Sequence, residues 1–143
     1  MKVALYRGTR PGLQGLYSRA VRLIDRGPYS HCELVFDSGI CASASFIDNG
    51  VRFKTIEFDP AHWDFINVPW AENTKALDWF SKHLGEPYDL PGNLRFIVGV
   101  VPNSDGNWFC SEAIAAALGL PEPWRLGPNG LAAILNFLEH GPV

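Results

Sequence analysis

The stretch from Tyr29 to Phe46 constrains the fold more than any other part of this chain. Tyr29-Ser30-His31-Cys32-Glu33-Leu34-Val35-Phe36 has the composition of a strand, and Ile40 to Phe46 reads as its return. Between them Asp37-Ser38-Gly39 suits a three-residue hairpin loop with Gly39 in the left-handed position. This pairing sets Phe36 opposite Ile40, Glu33 opposite Ser43 and His31 opposite Ser45. Side chains alternate along a strand, so His31, Glu33, Ser43 and Ser45 share one side of the hairpin, with Cys32 and Leu34 on the other. A slip of one residue would carry both serines off that side.

The remaining elements assemble around the hairpin. Lys2 to Arg7 reads as a strand that leaves through Gly8-Thr9-Arg10-Pro11-Gly12. Leu13, Leu16, Tyr17, Ala20, Val21 and Ile24 then recur at helical spacing until Gly27-Pro28. Arg19, Arg22 and Arg26 take other positions on that helix, a basic face compatible with an anionic substrate, a lipid head group or plain solvent. After the turn Asp48-Asn49-Gly50, Val51 to Phe58 is the third strand of a meander, and Phe65 to Val68 a short fourth one. Asn73 or Thr74 should cap a helix running to Leu84, with Ala76, Leu77, Phe80 and Leu84 inward. Leu94 to Val101 is apolar throughout and is expected to be helical. Pro128 or Asn129 opens a last helix with Leu131, Ile134, Leu135 and Leu138 buried.

With no repeat, low-complexity tract or linker, the 143 residues are expected to form one domain. Hydrophobic residues make up 47% and charged ones 19%, as in an ordinary globule. A net charge of −3 without a Lys/Arg run argues against a nucleic-acid partner. No apolar run reaches the length of a membrane span, and the first residues do not form a signal peptide. Three cysteines are an odd number for a disulfide framework, so the expected compartment is the cytoplasm, in a bacterial cell or a phage-infected host.

The chemistry concentrates at Asn107-Trp108-Phe109-Cys110-Ser111-Glu112, which leads into an Ala-rich run ended by Gly119 and Pro121. A helix beginning at or beside Cys110 would aim its free backbone N–H groups and the positive end of its dipole at the sulfur. That setting lowers a thiol pKa and offers donors to a tetrahedral oxyanion. His31 on a strand, flanked by polar residues of the same face, is the matching base. Packing of a small buried cysteine is the plainer alternative.

Ser30-His31-Cys32-Glu33-Leu34-Val35, then Gly85-Glu86-Pro87-Tyr88-Asp89, then Phe109-Cys110-Ser111-Glu112, in that order, resembles the circularly permuted branch of the NlpC-type papain-like hydrolases. That branch contains YiiX-like proteins and relatives of lecithin:retinol acyltransferase, in which the histidine strand precedes the cysteine helix. The resemblance implies an α+β papain-like fold with Cys110 as nucleophile and His31 as base. It places the third, polar member at Ser43 or Ser45, with Glu33 able to share that role. Tyr88 matches a tyrosine near the site, where its hydroxyl supports substrate or oxyanion, with loop packing as its plainer role. Trp108, by its place next to Cys110, would wall a substrate pocket or anchor the core or loop.

A zinc site at His31, Cys32, Cys41 and Cys110 is disfavoured, because neighbours on a strand point apart and the Cys32 to Cys41 spacing fits no common zinc pattern. His62 lies in a loop, and His83 and His140 suit the C-terminal ends of helices. The expected activity is therefore hydrolysis of a peptide or cell-wall amide through an acyl-enzyme, without metal or organic cofactor. Acyl transfer, cleavage of an acyl-lipid ester, or a non-catalytic binding module are the alternatives. The sequence says nothing of oligomeric state.

Overall fold

The computed structural model describes residues 1–9, 11–89 and 106–141. The expected helix at Leu94 to Val101 lies outside them. Within them are five strands, β1 (Lys2–Tyr6), β2 (His31–Val35), β3 (Cys41–Ser45), β4 (Gly50–Lys54) and β5 (Trp63–Asn67). The helices are α1 (Leu13–Ile24), α2 (Asn73–Lys82), α3 (Cys110–Ala117) and α4 (Pro128–His140), with a single 3-10 turn at Pro123–Arg125. The chain thus forms a small α+β fold in which one antiparallel sheet, ordered β4-β3-β2-β1-β5, is combined with helices.

The hairpin has the expected register. Leu34 pairs with Ala42 and Val35 with Cys41, and the Phe36 amide donates to the Ile40 carbonyl at 2.9 Å across the Gly39 turn. Regular pairing stops there. Next along, the Ser43 hydroxyl donates to the Cys32 carbonyl at 2.7 Å, so a side chain replaces the main-chain contact. The meander holds for β2, β3 and β4, whereas β5 crosses to the far side of β1 and pairs there. It begins at Trp63, earlier than expected, and β4 stops at Lys54 rather than Phe58.

One face of the sheet carries the main core. Val3, Leu5, Cys32, Leu34, Ala42 and Ala44 meet Phe80 of α2, Leu131 and Leu135 of α4, and most of α3. Seven of the eight α3 residues are buried, as expected of a helix enclosed on all sides, and its alanines let it lie close to the strands. Its end carries Gly119 at φ 72°, where the Gly119 and Leu120 amides turn back to Ala116 and Ala115 and satisfy the last carbonyls. The opposite sheet face holds a smaller cluster of Ala4, Val35, Cys41 and Trp63.

Several inward assignments need correction. In α2 only Ala76 and Phe80 are buried, while Leu77 and Leu84 are 41% and 57% exposed. The helix starts at Asn73 with Glu72 as its cap, and Leu84 falls beyond its end at Lys82. In α4 Leu131 and Leu135 are buried, whereas Ile134 and Leu138 are 36% and 44% exposed. The reason is shared: each helix touches the body along a stripe narrower than its apolar arc. Helix α1 departs furthest, for only Gly15 and Ser18 are buried.

Candidate active site

Cys110 is the first residue of α3 and His31 the first of β2, so the two meet at the same end of the layered core. Phe109, extended at φ −104° and ψ 167°, delivers the chain into α3, and the Ala113 amide makes the first helical bond, to the Phe109 carbonyl. The amides of Cys110, Ser111 and Glu112 therefore lie in the turn that has no intrahelical acceptor.

Each group shifts the other's titration. The hydrogen bond from the Cys32 thiol is the largest influence on Cys110; with the positive charge and hydrogen bond of His31 and the Cys32 amide, it overcomes burial and holds this thiol well below the ordinary range. Burial pulls His31 towards neutrality, but the charge and hydrogen bond of Cys110, then the hydrogen bond and charge of Glu33, raise its pKa to about 9. Cys32 moves the other way. Burial first, then its contact with Cys110, pushes its thiol up. Both shifts run towards a thiolate on Cys110 beside an imidazolium on His31.

Glu33 holds the ring. Its Oε1 lies 2.7 Å from His31 Nε2, which leaves Nδ1 as the nitrogen for the thiol. Arg52 of β4 grips the same carboxylate, with donor distances of 2.7 Å to Oε2 and 2.5 Å to Oε1. Arg52 is itself tied to Asp48 at 2.8 Å, and Lys54 reaches Asp48 at 3.1 Å. Glu33 is only 1% exposed, yet these donors outweigh the cost of burial and lower its pKa. The result is a continuous line, Cys110–His31–Glu33–Arg52–Asp48, in which every ionised group has an opposite partner.

The other expected site residues lie elsewhere. Ser43 is fully buried and spends its hydroxyl on the Cys32 and Ala44 carbonyls, so it does not orient His31. The expected pairing of Ser43 with Glu33, beside the histidine, is not formed, since the regular ladder ends at Leu34. Ser45 accepts the Asp48 amide at 3.4 Å and lines a cavity that His31 also lines. Tyr88 bonds the Tyr17 hydroxyl at 2.7 Å and packs on Phe46. Trp108 donates to Glu86 at 2.5 Å and packs edge-on against Trp79 and His83, which makes it a loop anchor. His83 caps α2, with Nδ1 3.0 Å from the Trp79 carbonyl, and His62 pairs with exposed Asp59. Cys41 belongs to the cluster on the opposite sheet face from Cys32.

A cavity of about 320 Å³ opens on the polar face of the sheet, with His31, Glu33, Ser30, Ser45, Tyr6 and Trp63 in its wall. The histidine ring, 19% exposed at its side chain, is the part of the pair that faces this space. Cys110 is only 3% exposed and is not among the residues lining the cavity. Its helix is packed on all sides, and the sulfur belongs to the main core cluster.

Two features escaped the sequence reading. Arg52 pairs with Ser43 in the β3–β4 register, so extending the alternation rule by one strand would have put it on the His31 and Glu33 face. Asp25 had no such signal. It receives the Asn129 backbone and side-chain amides at 2.7 and 2.8 Å, while Asn129 also brackets the Tyr29 backbone. This clamp joins residues about a hundred positions apart and stands close enough to Cys110 for burial and then that thiolate's charge to raise the Asp25 pKa. Gly127 leaves room for it, since a Cβ there would meet the Asp25 carboxylate and force it to shift. No family model and no curated protein sequence matches this chain.

Proposed function

We propose that this protein is a cysteine hydrolase with a permuted NlpC-type papain-like architecture, using Cys110 as nucleophile, His31 as acid and base, and Glu33 as the residue that orients the ring. The observation that carries this reading is the placement of the pair: Cys110 opens a helix, and the His31 ring, held by Glu33 at 2.7 Å, belongs to the same buried line of charges. In this arrangement the Cys110 thiol is lowered and the imidazole raised. In a plain packing role a buried thiol moves up, as Cys32 does.

The steps follow from the groups present. The Cys110 thiolate attacks an amide or ester carbonyl, and the amides of the first α3 turn receive the oxyanion. His31 gives its proton to the leaving amine or alcohol and the acyl group stays on sulfur. Neutral His31 then takes a proton from water, hydroxide adds to the thioester, and the carboxylic acid and thiol are released as the ring's proton returns to sulfur. Glu33 keeps Nδ1 towards the thiol, and Arg52 keeps Glu33 ionised and fixed. A peptide or cell-wall amide is the leading substrate class; acyl transfer or acyl-lipid cleavage would use the same steps with a different acceptor or bond.

A second reading has its own support. Cys110 is almost completely covered, which suits a binding module that keeps the fold without turnover. The discriminating experiment is mass-spectrometric mapping of a chloroacetamide-bearing probe, beside turnover of an amide and ester library by wild type and Cys110→Ala. Selective labelling of Cys110 over Cys32 and Cys41, with turnover lost in the variant, supports the hydrolase. Activity that survives in Cys110→Ala rules it out.

A further inference from the structure

Helix α1 is mounted with its apolar side outward. Of its twelve residues only Gly15 and Ser18 are buried, while Leu13, Leu16 and Leu23 are 86%, 66% and 80% exposed. At about 100° per residue, Leu13, Leu16, Ala20, Leu23 and Ile24 fall within one arc of roughly 100°. Arg19 borders that arc and Arg26 follows the helix, both exposed, and no acidic residue occurs from Leu13 to Ile24. Arg22 is held at the helix's base by the Arg7 carbonyl and the Thr9 hydroxyl, at 2.9 and 2.7 Å. Tyr17, Ala20, Val21 and Ile24 are half-buried, so the fully buried positions are small and the exposed ridge is leucine, the reverse of a helix that exists to build a core.

We propose that α1 docks this protein on an anionic lipid surface, with the leucines entering the acyl boundary and Arg19 and Arg26 meeting the head groups. Charge decides the occupant. The chain as a whole is acidic, at −3, whereas α1 has no acidic residue and, among the described residues, no ion pair is formed by Arg19 or Arg26. This helix is therefore a local positive face that an anionic surface attracts. A second copy docked through the same face would bring like charges together. A convex ridge of long aliphatic chains, flanked by arginines, fits a deformable bilayer interface. Gln14, Tyr17 and Ser18 of α1 also line the cavity at His31, so docking sets that cavity beside the membrane. The proposal concerns binding and holds or fails independently of the hydrolase reading.

The test is co-sedimentation of the full chain with vesicles of phosphatidylcholine alone, and with phosphatidylserine as about a third of the lipid. Binding is expected to the second and to fall steeply as salt is raised. Leu13→Ser with Leu23→Ser should lower partition by about tenfold per leucine, and Arg19→Ala with Arg26→Ala by about fivefold per charge. Circular dichroism checks each variant's fold, and the arginine pair decides the matter if the leucine pair misfolds. Equal partition of wild type and arginine variant, no sedimentation with anionic vesicles, or a wild-type dimer that the leucine pair makes monomeric would overturn the proposal.

Discussion

Glu33→Gln is the sharpest probe of the line of charges, because it keeps shape and removes one charge. Glu33 is 1% exposed and accepts from His31 at 2.7 Å and from Arg52 at 2.7 and 2.5 Å. A glutamine offers one acceptor oxygen and one NH2, so whichever way it turns, a donor faces either the guanidinium or the imidazole. Removing one partner of a buried pair costs about 3–5 kcal/mol. Arg52 keeps its 2.8 Å contact with Asp48 and is 14% exposed, which favours the lower end. About 3 kcal/mol in a chain of this size lowers the thermal midpoint by roughly 10 °C. His31 loses both the hydrogen bond and the charge of Glu33 that help raise it to about 9, so its pKa should fall. Ring tautomer and orientation lose their support as well, and turnover should drop on the order of 10³-fold, by analogy with replacement of a triad carboxylate. Calorimetry and the pH dependence of kcat/KM, measured on the same preparation, check both parts. A midpoint within about 2 °C of wild type, with the alkaline limb unmoved, would refute the reasoning.

The wild-type kcat/KM should hold through neutral pH and decline near pH 9, because the leaving-group proton resides on His31 only below its raised pKa; a decline near the ordinary histidine value of 6.5 would contradict the pairing. Cys32→Ala should cost about 1 kcal/mol for the small cavity. It should also raise the Cys110 pKa by removing the thiol's hydrogen bond, read as an alkaline shift in the pH profile of Cys110 alkylation. Ser43→Ala should cost about 1 kcal/mol in a denaturation curve and leave turnover within a few-fold of wild type, since its hydroxyl serves the Cys32 carbonyl.

Much of the fold was legible because its signals are local. The Asp37-Ser38-Gly39 turn and strand alternation set the β2–β3 register, and register is strongly specified where one face must be buried. The start of α3 at Cys110 followed from turn residues before it and helix formers after it. The placement of Glu33 beside His31 needed only the two-residue period of a strand.

What tertiary structure alone decided depends on which surfaces find a partner. Periodicity gives α1, α2 and α4 apolar arcs, but how much of each arc is covered depends on how the helix sits against the body, and α1 presents its arc outward. Strand period allowed Ser43 to share a face with His31, yet the ladder opens at Glu33 and the hydroxyl goes to a nearer carbonyl. Arg52 and the Asp25–Asn129 clamp reach across strands and helices, where sequence separation carries no record of distance. The burial of Cys110 is of the same kind. A helix start announces a thiol's dipole and free amides, whereas its access to solvent depends on every element packed around it.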